Sequence, residues 1–496
     1  MSCDYKPTSY SNLELEHLDK KTYQWSNTQE KIEYATKDET TILFGGLTDI
    51  SENLIQAAAK SLGENYLALP TIDNKSLEFG KIYGNRGQCN PTYYTVGNLI
   101  KYLVHLRDEQ GIPTEQIIKK YVMLTANGCG PCRFGMYVTE FNKALEDSGF
   151  KGFRVVSFEH NKSIFQEAQE ESIVEFSPKY FLILVKSVII ADILNILGYQ
   201  MRPYEVVKGS TDSAIKSCEE LIIETLENKN SLLKTMYKCR KILEKVELNR
   251  LQVKPKVMVM GEFWAAMTQS DGNYHIHRFL EGEGAEVLNQ PLINRILLNV
   301  WEAEYMRESK EGIESKGFLD FSLAKSKFML MLAKHGIHAQ FNLYAKAIGL
   351  NGYKLPNMEH LQKLAQKYYP LDSNGGEGHL EVAHLIEAVE DKIAHLVISV
   401  KPFGCMPSSG VSDGIQSLIT SKYPNANYLS VETSGEGGAN FYSRIQMALF
   451  KAKEQANEEF LEFKEKKDIS SEKMRYTYAP KSRYIGTACK ILDSKG

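Results

Sequence analysis

The sequence predicts an α/β protein built as two lobes, each with a mainly parallel sheet. Three observations carry this reading. Short β-branched or apolar runs alternate with longer helical patterns along the whole chain, the order expected of parallel sheets covered by helices. The loops that carry Cys129 and Cys132, Cys405, and the Gly261-Glu262 pair follow directly on strand ends. A charged stretch from Asp212 to Val253, with few Gly or Pro, separates two blocks that each begin with a strand and a Gly-rich turn.

Taken in order, residues 1–40 form an N-terminal segment and residues 41–211 the N-terminal lobe. That lobe has strands at Thr41–Gly45, Val122–Thr125 and Arg154–Phe158, and helices at Gly135–Asp147 and Pro178–Leu197. Residues 212–253 are a helical connector with a helix over Asp212–Leu243. Residues 254–496 form the C-terminal lobe, with strands at Val257–Met260, Leu396–Val400 and Tyr428–Val431 and a helix over Pro291–Glu314. After Ala439 a helix continues through KAKEQANEEFLEFKEKK, whose charges read as a solvated face. There is neither an internal repeat nor a low-complexity linker.

Charge and hydropathy exclude several functions. Lys and Arg number 59 against 62 Asp and Glu, a net charge of −3, which provides no basic stripe to release counterions from a nucleic acid. The most apolar window, Phe181 to Leu197, is interrupted by Lys186 and Asp192 and is shorter than the roughly 20 residues that span a bilayer, so it reads as a buried helix and no membrane association is expected. The N-terminus, MSCDYKPTSYSNLELEH, has no cationic start, apolar run or small-residue cleavage site. A cytoplasmic location is the expectation. No G-x-x-x-x-G-K-[ST] and no G-x-G-x-x-G after a strand is found, so no nucleotide site is evident in this chain, and any ATP dependence is expected to come from a partner.

Eight cysteines are too few for a disulfide-stapled scaffold of this length. Cys3 and Cys489 lie near the termini, and Cys218 and Cys239 sit in helical patterns, where a thiol behaves as a small hydrophobe. The other four occupy Gly- and Pro-rich loops: Cys89 in NRGQCNPTYYT, Cys129 and Cys132 in NGCGPCRFG, and Cys405 in KPFGCMPSSG. Three chemistries fit them. A C-x-x-C between a strand and a helix matches a thioredoxin-like dithiol, but here Asn127-Gly128 replaces the usual aromatic before the first cysteine. Four thiolates, partly clustered and partly remote, also match an iron–sulfur cluster. A tetrahedral zinc site needs the same count, although structural zinc generally serves small units that lack a core.

Other constellations are weaker. His275-Ile276-His277 has no third ligand nearby and reads as surface or half-buried histidines. Ser434-Gly435-Glu436-Gly437-Gly438 lies between a strand and a helix, where free N–H groups could cradle a phosphate, but it reads first as a flexible turn. In Asn374-Gly375-Gly376-Glu377-Gly378-His379 the carboxylate either faces the same cleft or caps the next helix.

Seven stretches carry a resemblance: GNRGQCNPTYYTVGNLIKYL (84–103), NGCGPCRFGMYVTEFNKALEDSGF (127–150), YEVVKGSTD (204–212), VMVMGEFWAAM (257–267), HRFLEGEGAEV (277–287), GGEGHLEVAHLIEA (375–388) and VISVKPFGCMPSSG (397–410). Together they resemble the iron–sulfur superfamily of 2-hydroxyacyl-CoA dehydratases and benzoyl-CoA reductases, and more closely the acyl-CoA dehydratase activase-related proteins. GPCRFG and PFGCMP are the most specific pieces of a similarity spread over roughly 41–451. The resemblance implies two Rossmann-like lobes with a [4Fe–4S]-type cluster between them, held by Cys89, Cys132 and Cys405 with Cys129 as fourth ligand or spare thiol. It also implies low-potential one-electron chemistry fed by a separate ATPase activase, with an acyl-CoA as candidate substrate. Dehydratase subunits typically use three cysteines and leave one iron open, whereas this chain offers four. A closed cluster would suit an electron carrier or scaffold, and an open iron a lyase or reductase. Glu262, just past a strand end, is the candidate catalytic group, and a two-fold homodimer is the default assembly.

Overall fold

The computed structural model describes residues 32–46, 48–128, 130, 132–159, 178–250, 252–310, 321–350, 352–372, 376–424, 426–466 and 470. Cys3, Cys129 and Cys489 lie outside the described residues, as do Pro131, Asn374 and Gly375. The first half contains strands β1 (Thr41–Phe44), β2 (Tyr66–Ala68), β3 (Tyr121–Asn127) and β4 (Arg154–Glu159). Its helices are α1 (Asp49–Ser61), α2 (Asn74–Tyr83), α3 (Asn90–Asp108), α4 (Thr114–Lys120), α5 (Tyr137–Asp147) and α6 (Pro178–Met201). The middle is a pair of helices, α7 (Ser210–Glu227) and α8 (Leu232–Leu243). The second half has strands β5 (Lys256–Gly261), β6 (Glu286–Asn289), β7 (Leu396–Pro402) and β8 (Tyr428–Thr433). Its helices are α9 (Phe263–Met267), α10 (Ile276–Gly282), α11 (Ile293–Lys310), α12 (Phe321–Ile348), α13 (Met358–Ala365), α14 (Gly378–Glu390), α15 (Met406–Gly410), α16 (Gln416–Lys422) and α17 (Gly438–Lys466).

The two sheets are parallel throughout and share one strand order, β2-β1-β3-β4 and β6-β5-β7-β8. The α/β class with two Rossmann-like lobes is therefore as expected. All six strands read from the sequence are present, each extended by a residue or more at one end or trimmed by one. The two missed strands, β2 and β6, are edge strands of three and four residues, too short for their apolar runs to stand out. The expected helix over 212–243 is two helices, broken where Lys229 takes a left-handed conformation.

Both sheets are covered on both faces, as parallel sheets require. Ile42 and Phe44 of β1 join one core and Leu43 the other; Met258 and Met260 of β5 join the first, Val257 and Val259 a third. The first core is shared by the two halves: it runs from β1 and β3 through α6 to β5, α11, α12 and α14. Helix α6 is apolar on every side and is covered along most of its length, with Phe181 and Leu182 of its first turns exposed. It contains the one described segment apolar enough to cross a membrane by composition, and 72% of that window is buried inside the protein. The α7–α8 pair packs on α1 and on α12, so it is part of this core as well as a connection between halves.

The carboxyl of Asp192, which breaks the apolar run of α6, has a structural use. It accepts the Leu292 and Ile293 amides at 3.0 and 2.8 Å and so satisfies the otherwise orphaned donors at the start of α11. Burial pushes its pKa up to about 7 against the pull of those two hydrogen bonds. In the unfolded chain the group ionises near its ordinary 3.8, and in the folded protein it keeps its proton until about pH 7. The unfolded state therefore binds fewer protons across that window, and stability falls as pH rises from about 4 to about 7. Urea midpoints are expected to be lower at pH 8 than at pH 5, and Asp192→Asn is expected to flatten that dependence. A midpoint that rises with pH and is unaltered in slope by the substitution would refute this assignment.

Candidate functional site

Each sheet reverses its strand order once, between β1 and β3 in the first half and between β5 and β7 in the second. Loops diverge at such a point beyond the carboxyl ends of the strands and leave a crevice. The residues after all four of these strands line one cavity of about 590 Å³: Gly45 and Gly46 after β1, Gly128, Gly130 and Cys132 after β3, Glu262 after β5, and Cys405 after β7. That volume is within the range of small-molecule sites. Cys89, just before α3, lines the same chamber. Three of the four loop cysteines, more than 300 residues apart at the extremes, thus open onto one space. The fourth, Cys129, lies outside the described residues.

The local structure around each cysteine is alike. Cys89 is the N-cap residue of α3, Cys405 that of α15, and Cys132 that of a 3₁₀ turn, Arg133–Met136, which runs into α5. Of the three, Cys132 alone caps its turn through sulfur: the Phe134 amide donates to Cys132 Sγ at 3.5 Å. Thr92 Oγ1 and Tyr137 OH stand 3.1 and 3.7 Å from Cys89 Sγ. The loops also hold one another across the two halves. The Asn90 amide donates to Phe403 O at 3.1 Å and its side chain to Thr433 O at 2.8 Å, and Arg133 Nε donates to Gly404 O at 3.2 Å.

Burial dominates the electrostatics. It pushes the Cys132 thiol up to about 11, opposed by the Phe134 amide and reinforced by the charges of Glu262, Cys89 and Glu377. Cys405 is pushed up for the same reason, with Glu262 adding to the shift. The chamber is rich in carboxyls. Burial raises Glu377 to about 8 although Arg295 Nη1 stands 3.4 Å from its Oε1, and raises Glu381 to about 7 although it accepts from Ser408 Oγ at 2.8 Å. Glu262 and Glu302 are raised by burial as well.

Glu262 lies on the chamber wall, where it was expected, and has a second task. Gly261 precedes it at φ +124, a conformation open to glycine, and a Cβ there would stand 2.2 Å from Val400 O. That turn aims the Glu262 carboxyl at the start of α9, where it accepts the Ala265 amide at 2.8 Å. Glu262→Ala is expected to cost about 1 kcal/mol of stability and Glu262→Gln, which keeps an accepting oxygen, less than half of that. Equal losses in chemical denaturation would show that the cap is not what the carboxyl contributes.

Of the alternatives open for Glu377, the structure selects the cleft: it occupies the N-cap position of α14 without capping it and lines the chamber. The Ser434–Gly438 loop is a packed turn. Tyr274 OH hydrogen-bonds Glu436 O, Lys81 pairs with Glu436 at 3.1 Å, and Gly435 sits against Leu77. His275 and His277 diverge, the first paired with Asp271 at 3.0 Å and the second buried against Tyr199. Sequence reasoning missed Arg295, Asn299, Glu302 and Met306, which form one stripe of α11 along the wall. Their spacing of four, three and four residues in INRILLNVWEAEYM is a helical face, and a periodicity test applied there would have found it. Glu381, the first of three carboxyls in α14, was missed as well.

Among the described residues, no three His, Cys, Asp or Glu side chains converge as ligands of a single metal ion. No protein-family model matches the chain, and no curated protein matches it either.

Proposed function

We propose that this chain is a cytoplasmic iron–sulfur protein whose Cys89, Cys132 and Cys405 hold a [4Fe–4S]-type cluster at the wall of the interlobe chamber, with Cys129 as fourth ligand or spare thiol. The observation that carries the reading is the convergence of three cysteines, from loops remote in sequence, on one buried space at the switch points of both sheets. Its donor chemistry fits the group. A cluster distributes its thiolates over several irons, so they line a space, whereas the ligands of one zinc ion must all lie about 2.3 Å from a single point. The Cys132 and Cys405 thiols are hard to ionise alone, the opposite of a reactive dithiol, whose thiolate is favoured; a cationic metal is what stabilises thiolates in such a place. When bound, the cluster supplies low-potential one-electron chemistry. The chain's own residues shield the site, orient a substrate in the chamber and place carboxyls beside it.

The electron donor in this reading is a separate ATPase activase, because no nucleotide motif occurs in the sequence. An acyl-CoA is the substrate class that the sequence resemblance supports, in a lyase or reductase reaction. The test is purification without oxygen followed by iron, zinc and acid-labile sulfide analysis. About four irons and four sulfides per chain are expected of a cubane. Bound zinc without iron, or neither metal, would overturn the proposal.

A further inference from the structure

Two side-chain hydroxyls converge on the sulfur of Cys89, Thr92 Oγ1 at 3.1 Å and Tyr137 OH at 3.7 Å. They come from different elements: Thr92 lies in the first turn of α3 and Tyr137 is the first residue of α5. All three residues are buried, and the phenol also hydrogen-bonds Thr92, so sulfur and hydroxyls form one closed triangle. Among the described residues neither hydroxyl has a partner outside it. A neutral thiol is a weak acceptor and a poor partner for two buried hydroxyls. A metal-bound thiolate has no proton to give and accepts strongly, so both hydroxyls must donate toward it. If the phenol proton goes to Thr92 Oγ1 instead of sulfur, the threonine proton is left for the sulfur, and the chain of hydrogen bonds ends there in either case.

We propose that Thr92 and Tyr137 are positioning residues for electron transfer that act through the Cys89 sulfur: their hydroxyls donate to the cluster-bound thiolate and raise the reduction potential. Reduction adds negative charge, which is shared with the ligand sulfurs, and donors aimed at a sulfur stabilise the reduced form more than the oxidised one. The inference rests on the reading of Cys89 as a cluster ligand and goes beyond it by naming side chains that set how readily the site takes up its electron.

The test is the midpoint potential of the full-length protein purified without oxygen, titrated with dithionite and mediator dyes and followed by the visible spectrum, with iron and sulfide counted on the same samples. Tyr137→Phe and Thr92→Val keep the shape of the side chain and remove one hydroxyl each. Each is expected to move the balance at a fixed potential about tenfold toward the oxidised form, a midpoint lower by about 59 mV for one electron, with iron content as in the unaltered protein. Thr92→Ser, which keeps the hydroxyl, is expected to keep the unaltered midpoint. Tyr94→Phe removes from the same helix a hydroxyl that bonds Asn74 rather than sulfur, and is expected to leave the midpoint unchanged. Unchanged midpoints in Tyr137→Phe and Thr92→Val at full iron content would overturn this inference and leave the cluster assignment standing. Loss of the cluster from both would overturn it as well, since the hydroxyls would then serve retention rather than potential. An unaltered protein without iron would overturn the cluster assignment and this inference together.

Discussion

Cys405→Ser and Cys89→Ser, each purified without oxygen, are expected to lose at least about nine-tenths of the bound iron and acid-labile sulfide, because a cubane stripped of a thiolate ligand is seldom retained. The expectation follows from position. Both residues are N-caps on opposite halves of the molecule, and each supplies the chamber from its own side. Removing Cys405 would leave cysteines of the first half alone, and removing Cys89 would leave Cys132 and Cys405, one from each half. Cys132→Ser is expected to behave in the same way. Cys218 and Cys239 serve as internal controls: both are fully buried between α7 and α8, each within 3.8 Å of the other's carbonyl through its sulfur, and neither lines the chamber. Serine at either position is expected to leave iron content unchanged. Full iron in Cys89→Ser or Cys405→Ser would remove those residues from the ligand set. Cys129→Ser then decides the count, since retention of the cluster there leaves an iron without a cysteine.

Gly97→Ala is expected to be among the most destabilising single methyl additions in the protein, at about 3 kcal/mol or more. Helices α2 and α3 touch backbone to backbone. A Cβ on Gly97 would stand 1.8 Å from Ser76 O and 2.4 Å from Gly80 N, and one on Gly80 would stand 1.9 Å from Tyr93 O. No rotamer relieves a clash with a carbonyl, so the helices must separate. Helix α3 follows on Cys89 and contributes Tyr94 against Trp264, so its displacement reaches both the cysteine rim and the chamber wall. Loss of iron together with loss of stability is the expected signature. The same change at Gly336, exposed in the middle of α12 with open space around its Cβ, is expected to stabilise by about 1 kcal/mol through helix propensity. Comparable urea midpoints for the two variants would mean that the α2–α3 contact yields readily.

Six strands were legible in the sequence, the edge strands β4 and β8 among them. Long β-branched or apolar runs such as VMVM and LVISV need no context to be read as buried strands, whereas YLA and EVLN at the sheet edges draw their conformation from a neighbour. The Cys132 and Cys405 loops were legible because unusual residues stood just past the central strands β3 and β7, whereas Cys89 follows a helix. What was not legible is the rest of the chamber. Arg295, Asn299 and Glu302 lie on a helix with many other polar residues, and which of its faces is enclosed depends on the packing of α11 beside α6, α12 and α13. The break at Lys229 was hidden similarly: Asn228, Lys229 and Asn230 are tolerated in helices, and the turn there is set by α7 and α8 folding back on each other.

The core shared by the two halves has a consequence for how the protein is made. Strands β1 and β3 present one face to α6, and α6 is enclosed only when β5, α11 and α12 have arrived. The half synthesised first therefore leaves the ribosome with its principal apolar face uncovered. More than three hundred residues separate Cys89 from Cys405, a delay of tens of seconds at about 5–20 residues per second. The three cysteines are first present together on a chain whose translation is nearly complete.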